Sequence, residues 1–159
     1  MDLVYNYNLL GEYKIKILNA LLSNQNIKNL LLDNVSNTSL MYTQVFPCFI
    51  NPDLTDECKT FLMLDGFIAK TNSTIQNMVL TFKYFTHVNL VMYKLDGFHG
   101  TRLDILTTLI DAEMTKNNAF GIGRFESGDR QNMNPTTDNK WWGYYLQYTV
   151  PDFKKRDES

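Results

Sequence analysis

Two histidines and four carboxylates fall within 27 positions of one another: His87, Asp96, His99, Asp104, Asp111 and Glu113. Imidazole and carboxylate both ligate Zn²⁺ or Mn²⁺, so a small metal-dependent hydrolase or nuclease could be built on His87, His99 and Asp104. The spacing opposes that reading. There is no His-Glu-x-x-His pair, and Asp111 and Glu113 stand two apart, which sends them to different sides of a helix. Asp104 already has work as a helix cap, and His87 closes a strand. Nucleophilic chemistry has no better footing. No Gly-x-Ser-x-Gly turn is present, and Cys48 and Cys58, ten positions apart, match no zinc or redox pattern, so both read as reduced thiols. Gly121 and Gly123 could face a phosphate. They precede a strand and not a helix, so a bulge or a close backbone approach is the simpler use.

Aromatic side chains can also do chemistry of a kind, by stacking bases. Phe82, Tyr84, Phe85 and the run Trp141 to Tyr148 would suit a single-strand-binding module, yet only Lys83, Arg124, Arg130 and Lys140 lie near them. Such surfaces need a basic groove, and aromatics at period two are more often core. Contact with other proteins is the remaining candidate. The stretch 127–140 is polar and reads as a long loop, and long loops inside compact domains are usually functional. It holds Arg130, Asn132, Met133 and Asn134 and is followed by Trp141, and Arg, Met and Trp are enriched at interfaces. These five are the predicted interface residues, weighed against a hairpin loop with slack length.

The elements that must position these groups can be read from period and punctuation. Leu10, Tyr13, Ile17, Ala20 and Leu21 have helical spacing with Asn8 as cap, and Ile27, Leu30 and Leu31 add further turns after a polar break, giving a helical region over 1–32. A loop over 33–43 follows. Val45 to Ile50 is strand-like, with Pro47 at an edge, and 51–53 is a turn. Phe61 to Ala69 is apolar on both faces apart from Asp65-Gly66, where a bulge or bend is expected. Beyond a polar turn over 70–77, Met78, Leu80, Phe82 and Tyr84 alternate with polar residues and predict a half-buried strand running towards Val91. Thr101 to Asp104 reads as a capping box opening a helix over 101–116, with Leu103, Leu106, Leu109, Ile110 and Met114 as its apolar stripe. Strands are expected at 119–126 and 141–150, the latter with Trp142, Tyr144, Leu146, Tyr148 and Val150 on one face. The end, 154–159, should fray. This order predicts one α+β domain, an antiparallel or mixed sheet of four to five strands packed against two main helices.

Bulk composition agrees with a single domain. The 159 residues are 44% apolar, enough for a core, and 13% aromatic, while a net charge of −2 gives no footprint for nucleic acid. The opening residues lack a basic region and an apolar run, which predicts no secretory signal, and no stretch is apolar enough to span a membrane.

Several segments together resemble the tail terminator, or tail completion, proteins of the bacteriophage head–tail neck. The likeness runs from about Phe61 to Phe153. It rests on Phe82-Lys83-Tyr84-Phe85-Thr86-His87, then Gly100-Thr101-Arg102-Leu103-Asp104-Ile105-Leu106 with Ile110-Asp111. The glycine and aromatic strand Trp142 to Val150, followed by Asp152-Phe153, completes it. The resemblance implies a small α+β protein of the virion, assembled in the host cytoplasm, that forms a ring, commonly a hexamer, on the tail tube. It implies contacts with its own copies, the tail tube protein, a head-completion or connector protein and possibly the sheath. It implies no catalytic residue, metal or cofactor, no membrane and no specific nucleic acid. The length of the 127–140 segment and of the N-terminal helix departs from the pattern. A metal-dependent hydrolase or nuclease and a single-strand-binding module stand as the rival readings.

Overall fold

The computed structural model describes residues 3–32, 40–50, 58–70, 76–116 and 125–150. Helix α1 spans Leu3–Leu22 and α2 spans Gln25–Leu32. The polar break between them is a real hinge. Asn24 Oδ1 accepts from the backbone N–H groups of Asn26 and Ile27 at 3.0 and 3.3 Å, which caps α2. Asn8 is not a cap; α1 starts earlier, and the Asn8 amide donates to Glu12 one turn on, at 3.0 Å.

The strands are β1 (Val45–Phe46), β2 (Thr60–Lys70), β3 (Gln76–His87), β4 (Glu126–Met133) and β5 (Trp141–Val150), and α3 (Arg102–Met114) lies between β3 and β4. They form one five-stranded sheet in the order β1-β2-β3-β5-β4. The short β1 pairs parallel to β2, and every other pairing is antiparallel, so the sheet is mixed. Pro47 follows β1 directly and helps to hold that edge strand to two residues.

Strand alternation sends side chains to two faces. On the helix face Leu62, Leu64, Met78, Leu80, Phe82, Tyr84, Leu146, Tyr148 and Val150 meet Ile17, Leu18 and Leu21 of α1, Ile27, Leu30 and Leu31 of α2, and the stripe of α3. The predicted stripe Leu103, Leu106, Leu109, Ile110 and Met114 is buried throughout. On the opposite face a smaller cluster joins Phe61, Met63, Phe85 and Trp141, with Phe46 and Met133 against it. This explains why the first half of β2 is apolar on both sides.

Three sequence-based expectations change. No bulge interrupts β2 at Asp65-Gly66, because the register to β3 runs unbroken from Thr60 to Lys70. Gly66 instead lets chains approach: a Cβ there would lie 2.6 Å from the Val79 carbonyl oxygen and 3.4 Å from Leu10 Cδ1. β3 ends at His87, where a 3-10 turn over Val88–Leu90 takes over. The segment 127–140 is only half loop, since 127–133 is β4 and only 134–140 connects. An edge strand pairs through its backbone alone and needs no apolar alternation, so β4 carries none. The shift of register between Ser127 and Arg130 bends it. Of the strand expected at 119–126, residues 119–124 lie outside the described residues, as do 33–39, 51–53 and 154–159.

Candidate functional site

Helix α3 opens as its sequence requires. Thr101 is the N-cap, and the Asp104 carboxylate returns a hydrogen bond to the Thr101 N–H, Oδ2 accepting at 2.8 Å. Gly100 is left-handed at φ 101°, and a Cβ there would stand 2.7 Å from the same carboxylate. From that start α3 presents Asp104, Thr107 and Asp111 along one polar stripe, and three tyrosines of the sheet reach it. Tyr144 donates to Asp104 at 3.0 Å, Tyr148 donates to Asp111 at 2.6 Å, and the Tyr84 hydroxyl bonds that of Thr107. Burial alone would raise the pKa of Asp104. The hydrogen bonds from Thr101 and Tyr144 and the charge of Arg130 outweigh it and hold the carboxyl below its ordinary value. Burial drives the Tyr84 and Tyr148 hydroxyls well above the ordinary tyrosine value, so both stay neutral donors.

Other charged and polar candidates are engaged in the same way. Glu113 accepts from Asn24, at the α1–α2 hinge, and from Lys116. Arg102 is buried; its Nη1 donates to the Leu30 carbonyl at the end of α2 and its Nε to the Leu90 carbonyl, and Tyr93 stacks beneath. A cation there suits the negative end of α2. His87 caps the 3-10 turn, with Nδ1 accepting from the Asn89 N–H at 3.2 Å. The fold also brings Cys58 Sγ within 3.4 Å of that nitrogen, a Cys-His-Asn grouping that sequence spacing did not disclose. Nδ1 has a single lone pair, and the Asn89 N–H already engages it, so it is poorly placed to take a thiol proton. His99 is exposed, and among the described residues no three His, Cys, Asp or Glu side chains could hold one metal ion. His87, His99 and Asp104 therefore do not form a common centre.

The predicted interface residues lie together on the β4–β5 hairpin, with Arg130, Asn132 and Asn134 exposed. Trp141 is 3% exposed and belongs to the second core cluster, and Met133 packs against the same cluster. Trp141 is thus covered within this chain, while Met133 is only partly buried. Gly143, opposite Met133, permits this packing, because a Cβ there would lie 3.1 Å from Met133 and Phe85. Arg130 lies on the Tyr144 ring, 4.1 Å from its centre. Asn132 and Asn134 line a concavity of about 290 Å³ with Asn139 and Trp142. Trp142, which the sequence pattern placed on the core face, lies beyond the helices and is 53% exposed. Phe82, Tyr84 and Phe85 are buried in the sheet's two clusters, which removes them as platforms for bases. Arg124, Gly121 and Gly123 lie outside the described residues.

A family model described as YomW matches residues 16–150 of this chain. No curated protein matches it.

Proposed function

The chain belongs to the YomW family, a phage-derived family, and from that premise we propose that it is a virion structural protein of the head–tail neck. It forms a ring of its own copies that ends the tail tube and joins it to the head-completion protein, with the sheath as a further contact in a contractile tail. It carries out assembly and not catalysis. The observation that carries this reading is the engagement of the candidate catalytic groups. Asp104, Asp111 and Glu113 each hold two parts of the fold together, and His87 caps the turn that follows its own strand. The likeness to neck proteins over 61–153 also falls almost wholly within the span that the family matches. No described helix is long and apolar enough to cross a membrane.

A ring needs an interface, and exposed apolar residues on the sheet face away from the helices offer one. Phe67 and Lys83 alternate onto that face; Phe67 is 54% exposed, and Lys83 covers the ring of Phe49, which with Ile50 is also exposed. Such side chains gain by meeting the next copy. Particle imaging tests the assignment: several copies should surround one axis at the neck. Phe67→Asp should leave thermal unfolding nearly unchanged, since the ring is largely in solvent, while the variant fails to enter particles. One copy per particle, or normal incorporation of that variant, overturns it.

A further inference from the structure

We propose that the concavity at the end of the β4–β5 hairpin is a binding site for one uncharged pyranose ring, a site independent of the neck assignment. Its lining explains the choice. Asn132 stands on β4 opposite Tyr144, and Asn134 and Asn139 come from the two ends of the connecting loop. Their carboxamides have no hydrogen-bond partner among the described residues. Each offers two N–H donors and a carbonyl acceptor, the complement of hydroxyls that both donate and accept. Asn139 holds a left-handed φ of 57°, which asparagine tolerates and which fixes where the loop re-enters β5.

The aromatic component is a single free face. Trp141 is buried, and Arg130 lies over the Tyr144 ring, whose hydroxyl is bound to Asp104. Only the Trp142 indole remains to be covered. An indole face is electron-rich and apolar, and the C–H face of a pyranose is apolar with partial positive charge, so the two stack. A proline-rich segment would need several aromatic ridges in a row, which this hairpin lacks. No carboxylate, amine, guanidinium or imidazole is among the residues that line the concavity, and its one phenol, that of Tyr144, is bound to Asp104, so the lining favours an uncharged ligand. The volume of about 290 Å³ lies at the lower end for ligand sites and suits one ring, not a long chain.

The test uses the full chain in solution, with the Trp142 indole N–H signal followed by NMR. Glucose, galactose and N-acetylglucosamine are the probes, and adenosine and uridine are the controls. At least one sugar should produce a saturable shift of Trp142 and of the Asn132, Asn134 and Asn139 amides. Trp142→Ala should weaken that sugar about tenfold, the loss of one stacking contact. Asn139→Gly keeps the left-handed backbone while removing the carboxamide, and should weaken it about fivefold. Unchanged circular dichroism in both variants excludes misfolding as the cause. The proposal is overturned by no saturable shift with any sugar, by saturation with a nucleoside alone, or by sugar binding that survives Trp142→Ala undiminished.

Discussion

Asp104 illustrates how much one side chain can be asked to hold. Its carboxylate closes the capping box at Thr101 and accepts from Tyr144 on the central sheet. Asp104→Ala should therefore cost about 0.5–2 kcal/mol at neutral pH. The sign of its pH dependence follows from a folded pKa below the ordinary value. Its contribution is fully present above the unfolded value of about 3.9 and is lost as pH falls through the folded one. Thermal unfolding of the two proteins should differ most near pH 7 and converge under strongly acidic conditions. A gap that stays constant down to the lowest pH would show that the carboxylate's charge is not what matters. Arg102, two residues earlier, works in another direction. By binding carbonyls at Leu30 and Leu90 it ties the end of α2 to the segment leading into α3. The Arg-x-Asp pair is thus two separate fastenings.

At the scale of elements, one tight approach is between β2 and β3 at Gly66, where a Cβ would lie 2.6 Å from the Val79 carbonyl oxygen. Gly66 has no room for a side chain, so Gly66→Ala should shift the Val79 backbone or Leu80 and cost about 1–3 kcal/mol, read as a fall in the unfolding midpoint. An unchanged midpoint would mean that β2 and β3 adjust around the added methyl at little cost. How much of this was legible depends on what each element shows in its own residues. α3 announced itself by cap and stripe, and β3 and β5 by alternation, because each buries one face against the core. β4 announced nothing, since an exposed edge strand is held by backbone pairing and its residues read as loop. Gly66 and Gly143 were visible as glycines, but their purpose depends on which chain lies across them. The tyrosine links to α3 were hidden for a similar reason. Period two put Tyr144 and Tyr148 on one face, but only the docking of α3 decides where their hydroxyls end. The residues around the hairpin concavity were partly chosen from sequence, as Asn132 and Asn134. The sequence singles out Trp141 for the interface, whereas Trp142 is the more exposed of the two; both are tryptophan at a strand's start, and only the depth of cover distinguishes them.

For the whole molecule, strand order matters more than any single contact. β5 lies between β3 and β4, although it follows both in the chain. It closes the helix-face core with Leu146, Tyr148 and Val150 and supplies Trp141 to the opposite cluster. A chain ending at Lys140 should therefore leave β3 with an open edge and both clusters incomplete, and it should sediment as aggregate. Recovery of that fragment as a folded monomer would show that β5 is dispensable. The same arrangement sets a timetable for biosynthesis. The end of β5 leaves the ribosome 63 residues after the end of β3. At roughly 5–20 residues per second that delay is about 3–13 s, during which β3 can pair with β2 alone and its other edge is open. Chaperones that cover strand edges would meet this protein before its own last strand does, so the yield of folded protein would respond to their supply even where the finished fold is stable.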